Sequence, residues 1–86
     1  MPEKQLQSEP RSYAAIFDPA EDGGFNVSFP AFPGCVTFGN NMEEAKQKAK
    51  EVLELWIEEL LAQKEEIPAA NTKPILGEVE VLVPVA

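Results

Sequence analysis

One long stretch of helical periodicity follows several short segments of period two, and this order leaves few folds open to the chain. Apolar residues recur at spacings of three and four, at Ala45, Ala49, Val52, Leu53, Trp56, Ile57 and Leu60. That spacing predicts one apolar face on a single helix. Since an amphipathic helix must cover its apolar face with another element, the fold depends on which strands the rest of the sequence supplies.

The predicted helix has a defined start. Asn41 is a good N-cap, and Glu44 three residues later completes a capping-box pattern. Glu43 and Glu44 in the first turn also favour the positive end of the helix dipole. The apolar pattern fades beyond Gln63.

Period-two alternation before the helix predicts three strands, at residues 13–17, 25–29 and 35–38. The first two are joined by "DPAEDGG", residues 18–24, in which Asp22, Gly23 and Gly24 are suited to the positive φ of a hairpin turn. Pro30 ends the second strand, since proline cannot donate to a strand ladder. Both connections are short, so we expect an antiparallel meander.

A fourth strand is predicted after the helix. Residues 67–74 form a connector, and "GEVEVLVPV" then alternates glutamate with Val79, Val81 and Val83. A crossover through the helix would place this strand parallel to the first strand. The sequence therefore predicts a two-layer α+β fold of order β-β-β-α-β in residues 12–86. The polar residues 1–11 form a mobile N-terminal arm.

The charge and the rare residues exclude several classes of function. With 15 acidic against 7 basic residues the net charge is −8, which argues against direct nucleic-acid binding through a basic patch. The absence of histidine removes Ser-His and Cys-His catalysis, and one cysteine cannot form an intramolecular disulfide. No apolar run is long enough to span a bilayer, and no signal peptide is evident. We expect a cytoplasmic protein that is not an enzyme and needs no cofactor.

Acidic residues are the remaining candidates for a site. Asp18, Glu21 and Asp22 cluster in the first hairpin loop, where they could attract a basic partner or bind a hard cation. A solvated turn explains the same residues. Cys35, next to Pro33 and Gly34 and without a nearby cation, is interpreted as a packing residue in the corner "FPAFPGCVTFGNN".

The same residues resemble the HicB antitoxin family. The resemblance consists of an aromatic residue in strand one, an acidic-Gly turn, a strand ending in proline, a Pro-Gly-Cys element and a Gly-led helix start. The matching residues are Tyr13, Asp22, Gly23, Pro30, Pro33, Gly34, Cys35, Gly39, Glu43, Glu44, Ala45 and Ala49. The match extends from about Ser12 to Pro68.

This resemblance implies a partial RNase H-like fold without the catalytic carboxylates. It also implies a partner, a small basic mRNA-cleaving toxin of the HicA type, which the antitoxin would bind and occlude. Many family members carry an additional DNA-binding domain, which we do not expect within these 86 residues. Two alternatives stay open: an orphan homo-oligomer without a toxin, and a residual metal-dependent nuclease of RNase H type.

The apolar content of the strands predicts self-association. One helix covers only one sheet face, whereas Phe17, Phe25, Val27, Phe29, Phe38 and the terminal valines supply more apolar surface than that face needs. We therefore expect a homodimer or tetramer.

Overall fold

The computed structural model describes residues 9–69 and 75–85. It contains three strands and one helix, β1 (Ile16–Pro19), β2 (Phe25–Ser28), β3 (Val36–Gly39) and α1 (Met42–Ala62). The predicted N-terminal arm lies outside the described residues except for residues 9–11, and the connector does so from residue 70 to residue 74. The α+β class and the order β-β-β-α are confirmed for the described residues.

The three strands form an antiparallel meander in the order β1-β2-β3, as the short connections predict. The first strand begins and ends later than expected, because its register with β2 sets Ile16 opposite Ser28 and Pro19 opposite Phe25. The hairpin connection is thus shorter than "DPAEDGG". Pro19 is accommodated since β1 is an edge strand, where a missing N–H group costs little.

The start of α1 follows the sequence prediction with one difference. The Asn41 side chain caps the helix by accepting a hydrogen bond of 2.8 Å from the Glu44 N–H group. The Glu44 carboxylate returns a bond to Asn40, not to Asn41: it accepts from the Asn40 backbone N–H at 2.6 Å and from the Asn40 side-chain amide at 2.9 Å. These two bonds hold the pKa of Glu44 below its usual value, with the backbone bond as the larger cause.

The core lies between the sheet and the first half of the helix. Its buried residues are Val27, Phe29, Phe32, Cys35, Ala45 and Ala49. Trp56 and the remaining apolar residues of the helical stripe are partly buried against this cluster. The centre of the core is therefore made of small helix residues and strand and corner aromatics, because the helix comes closest to the sheet at its N-terminal end.

Gly39 explains this close approach. A Cβ atom at Gly39 would overlap the backbone and side chain of Ala45, and Ala45 is completely buried. Only glycine lets the last residue of β3 lie this close to the first turns of α1. As a result the helix packs most extensively against β3.

The chain reverses after the helix through a Schellman-type end. Lys64 has a positive φ of 62°, its N–H group bonds to the Leu61 carbonyl, and the Glu65 N–H group bonds to the Leu60 carbonyl. The following segment returns to the sheet, where the Tyr13 hydroxyl donates a 2.7 Å hydrogen bond to the Pro68 carbonyl oxygen. Ile67 packs against the core beside it.

Within residues 9–69 and 75–85 the structure shows no fourth strand. Residues 75–85 form no strand, and every one of them is exposed. Val79, Val81 and Val83 keep their alternation with glutamate but have no sheet partner within the described residues. The predicted fourth strand is therefore not confirmed within the described residues, because a period-two pattern selects a face and does not supply a neighbouring strand.

Candidate functional site

The sheet has one face away from the helix, which we call the outer face. Val27 is 1% exposed and points to the core, so the residues that alternate with it and with its cross-strand neighbours point outward. The outer face consists of Ile16, Asp18, Asn26, Ser28, Val36 and Phe38.

The outer face combines exposed apolar side chains with polar ones. Ile16 is 49%, Val36 is 62% and Phe38 is 41% exposed. Asp18 lies opposite Asn26, Asn26 lies opposite Phe38, and these residues line a shallow depression together with Ser28 and Val36. An open surface of this composition is typical of protein–protein contacts and unlike the enclosed cavities that hold small molecules.

The turn between β1 and β2 carries two of the three acidic residues predicted as partner-binding, Glu21 and Asp22. The Gly23 N–H group bonds to the Ala20 carbonyl, and the Ala20 N–H group bonds to the Gly24 carbonyl, both at 3.0 Å. Gly23 and Gly24 have positive φ, as the sequence predicts. Within this turn Glu21 and Asp22 are adjacent and exposed.

The three acidic residues predicted as partner-binding lie in two different places in the structure. Glu21 and Asp22 lie together in the turn, but Asp18 belongs to β1 and lies on the outer face. The expectation that Asp18 is a turn residue is wrong because the strand pairing extends to Pro19. Among the described residues no three acidic or cysteine side chains are grouped as metal ligands would be.

The Pro-Gly-Cys corner is a packing element. Phe29 and Phe32 accept backbone hydrogen bonds from Phe32 and Cys35, which folds the corner so that all three side chains are buried. Gly34 has a φ of +92°, and a Cβ there would lie 3.6 Å from the Trp56 ring. Burial raises the pKa of the Cys35 thiol, which keeps it protonated and supports its interpretation as a packing residue.

The motifs that build this corner, the turn and the helix start also decide the family. The family model for HicB-like antitoxins of bacterial toxin–antitoxin systems matches residues 13–78. The chain belongs to this HicB-like antitoxin family. Membership implies a non-enzymatic protein with a role in a toxin–antitoxin system.

Several relatives support the same assignment. A UPF0150 protein of Thermoplasma acidophilum is 40% identical over 63 residues, covering 73% of this chain and 91% of that protein. A UPF0150 protein of Synechocystis is 35% identical over 66 residues, covering 74% of this chain and 84% of that protein. The protein named Antitoxin HicB 1 of Photorhabdus laumondii is 38% identical over 56 residues, which cover 65% of this chain but 36% of that antitoxin.

Sequence reasoning missed two parts of this region. Phe32 lies between Pro30 and Pro33, in a stretch of turn residues that shows no periodicity. It is nevertheless buried and packs edge-to-face against Tyr13, with ring centroids 4.9 Å apart. The sequence puts Ile16 in the first strand, on the side opposite Tyr13 and Phe17, but only the register shows that Val36 and Phe38 lie on the same face. A hairpin loop that begins only after Pro19 would have indicated this placement of Ile16.

No described helix is long and apolar enough to cross a membrane.

Proposed function

We propose that this chain is the antitoxin of a toxin–antitoxin pair, and that it binds and occludes a small basic mRNA-cleaving toxin of the HicA type. The observation that carries the proposal is the family match over residues 13–78. The net charge of −8 supports it, because a protein that binds RNA presents a cationic surface to which an acidic chain is attracted.

The contact surface in this proposal is the outer face together with the acidic turn. Ile16, Val36 and Phe38 provide apolar area that a partner can cover. Asp18, Glu21 and Asp22 place three carboxylates on and beside it, all of them exposed. An apolar centre with a charged border is the usual arrangement of a specific interface.

The two kinds of residue have different roles in this proposal. The carboxylates attract the cationic toxin over a distance and speed association, an effect that salt screens. The apolar residues lose their water only in the complex, so they slow dissociation. The toxin is inactivated because its RNA-binding surface is covered, and no bond is made or broken.

The experiment uses a small basic protein of the HicA type, taken from the neighbouring gene where that gene encodes one, purified and titrated with the parent and with two triple variants. The first variant carries Asp18→Asn, Glu21→Gln and Asp22→Asn. The matched control carries Glu51→Gln, Glu65→Gln and Glu66→Gln, which removes the same charge from exposed residues outside the hairpin. At low salt the hairpin variant should associate about tenfold more slowly than the parent. The control should lose much less.

A variant of the apolar residues tests the second role. Val36→Ser should raise the dissociation rate with little effect on association, and RNA cleavage by the toxin should return in proportion. Equal association rates for the two triple variants would remove the hairpin from the interface. A neighbouring basic protein that binds neither the parent nor any variant would overturn the toxin-binding proposal itself.

A further inference from the structure

The segment from Gly77 to Val83 has the alternating sequence of a β-strand but no strand partner among the described residues. Val79, Val81 and Val83 share one side, and Glu78, Glu80 and Leu82 share the other. The segment is fully exposed: Val81, the least exposed of its apolar residues, is still 67% exposed, and Leu82 is 96% exposed. Seven large apolar side chains between residues 75 and 85 contact water in this way. A surface of this kind marks an interaction site.

The same molecule has a sheet edge that lacks a neighbour. In the order β1-β2-β3, β1 pairs only with β2, so its other edge is unpaired within the described residues. Unpaired edges attract further strands, and short proteins protect them or use them for assembly. β3 is the other edge strand, but the helix packs mainly over β3, which leaves the region under β1 less covered.

A groove of mixed composition lies along α1 next to the residue segment that precedes β1. Its apolar lining comes from Leu53, Ile57 and Leu61 of α1, from Tyr13 just before β1 and from Ile67 after the helix. Its charged lining comes from Glu9, Arg11, Lys50, Glu54 and Glu58. These residues are exposed or only partly buried. A strand added beside β1 would direct alternate side chains toward this groove, and the other side chains toward the outer face.

From these observations we infer that residues 77–83 of one copy pair with the free edge of β1 in a second copy, and that the exchange is mutual. The valines then cover the groove on the helix side. Leu82 extends the apolar part of the outer face next to Ile16, and the two glutamates face solvent. In this arrangement the predicted fourth strand exists, but a second copy supplies it. Mutual exchange gives a closed dimer with twofold symmetry, in which each copy both donates and receives a strand.

The chemistry of the segment favours a second copy over an unrelated partner. Its valine side can cover the apolar part of the groove around Tyr13, Ile57 and Ile67, and its other side continues the mixed outer face. Every copy that carries the segment also carries the edge that it fits, so donor and acceptor are always present in equal amounts. This inference does not rest on the toxin proposal, since it concerns the free edge of β1 and a second copy of the chain, even though Leu82 would add to the outer face.

Disulfide trapping between two different variants tests the exchange directly, with Cys35→Ala in both so that each carries a single cysteine. One copy carries Ile16→Cys on the outer face of β1, and the other carries Glu80→Cys, with Glu78→Cys and Leu82→Cys to scan the register. Paired strands bring the Cα atoms of such positions within the roughly 7 Å that a disulfide requires. After mixing, unfolding, refolding and mild oxidation, we expect a cross-linked species with the mass of one copy of each variant.

Two controls make that result specific. Leu55→Cys, exposed on the helix, replaces Ile16→Cys and should give several-fold less mixed product with Glu80→Cys. The parent, whose single Cys35 is buried, should give none. A chain that carries both Ile16→Cys and Glu80→Cys distinguishes strand pairing within one copy from strand exchange between two copies. If it forms a disulfide at the mass of a single chain on dilution, the strand belongs to its own copy and the exchange is overturned.

A proline variant tests the same inference without cross-linking. Val81→Pro removes a backbone donor and fixes φ in the middle of the segment, so it should convert the dimer to a monomer in light scattering. Leu76→Pro, just before the segment, should leave the dimer intact. Far-UV circular dichroism should show the same helix in both variants, because α1 and the core lie elsewhere. A parent that is monomeric at tens of micromolar, or a Val81→Pro variant that stays dimeric, would contradict the proposal.

Discussion

Two segments of this chain share a period-two pattern of apolar residues, but one lies in the sheet with its apolar side buried and the other is exposed. Phe25, Val27 and Phe29 alternate with Asn26 and Ser28, and Val79, Val81 and Val83 alternate with Glu80 and Leu82. The first segment is the central strand of the sheet and holds Val27 at 1% exposure. The second is the exposed C-terminal segment, with Val81 at 67%.

The difference lies in the neighbours and not in the residues. Short turns join β2 to a strand on each side, so its backbone groups are paired by segments close to it in sequence. The C-terminal segment follows a 21-residue helix and a connector, so its partner must come from a distant part of the chain or from another copy. Burial therefore follows from pairing, and the pattern only decides which side is buried.

The largest expected effect on the free energy of unfolding comes from truncating a side chain in the Pro-Gly-Cys corner, compared with truncating one in the C-terminal segment. Phe32 is 2% exposed, so Phe32→Ala should lower the free energy of unfolding by about 3–5 kcal/mol. Leu82→Ala also truncates a large apolar side chain, but at an exposed site, and should change the free energy by less than about 0.5 kcal/mol. Urea titration at a concentration where the chain is monomeric measures both. Similar midpoints for the two variants would contradict the comparison.

The sharpest form of the comparison uses one residue type in both segments. Val27→Ala removes two buried carbon atoms, which costs about 2–3 kcal/mol when the loss of transfer free energy and the residual cavity are combined. Val81→Ala should cost less than about 0.5 kcal/mol under the same monomeric conditions. At higher concentration the exchange predicts that Val81→Ala weakens the dimer. A concentration-independent effect of Val81→Ala would separate its role from self-association.

A smaller effect on stability is expected when alanine replaces each of two glycines, Gly34 and Gly77. Gly34 has a φ of +92°, a conformation that side chains disfavour, so Gly34→Ala should cost about 1–2 kcal/mol. Gly77 has no atom within 4 Å of an added Cβ and no positive φ, so Gly77→Ala should be neutral within about 0.5 kcal/mol. Thermal unfolding followed at the helix signal compares the two. A neutral Gly34→Ala would show that the corner relaxes without strain.

The smallest expected effect concerns acid. The folded-state pKa of Glu44 is lowered by its bonds to Asn40, so the stability that its charge contributes is complete above the usual value of 4.5. That contribution is lost as the pH falls through the lower folded-state pKa. Between about pH 6 and about pH 3 the parent should therefore lose more stability than Glu44→Gln.

Urea midpoints at several pH values measure this difference. Glu80→Gln, which removes one charge from the exposed C-terminal segment, is the control for a change in net charge. If Glu44→Gln and the parent lose stability in parallel, the two hydrogen bonds to Asn40 do not stabilise the ionised carboxylate.

Local patterns predicted much of the fold. The helix from Met42 to Ala62, its Asn41 cap, the three-strand meander and the positive φ of Gly23 and Gly24 all agree with the sequence. Each depends on residues within a few positions of one another, so their chemistry is visible in a short window. The bounds of β1 were wrong because they depend on its register with β2, which no window over β1 alone contains.

The candidate surface was predicted only in part. The acidic residues were evident from composition, but the placement of Asp18 on the outer face required the register. The same register grouped Ile16, Val36 and Phe38, which come from two different strands. Residues from separate strands become neighbours only when the sheet forms, so no local pattern identifies them as a surface.

The sequence by itself determined the family, the acidic charge, the helix and its cap, and the alternation of every apolar segment. The tertiary structure decided which of those segments are covered. It brought Gly39 against Ala45, set the core at the N-terminal end of the helix and left residues 75–85 exposed. The physical reason is that alternation and capping are properties of neighbouring residues, whereas burial requires a second surface whose position depends on the whole chain.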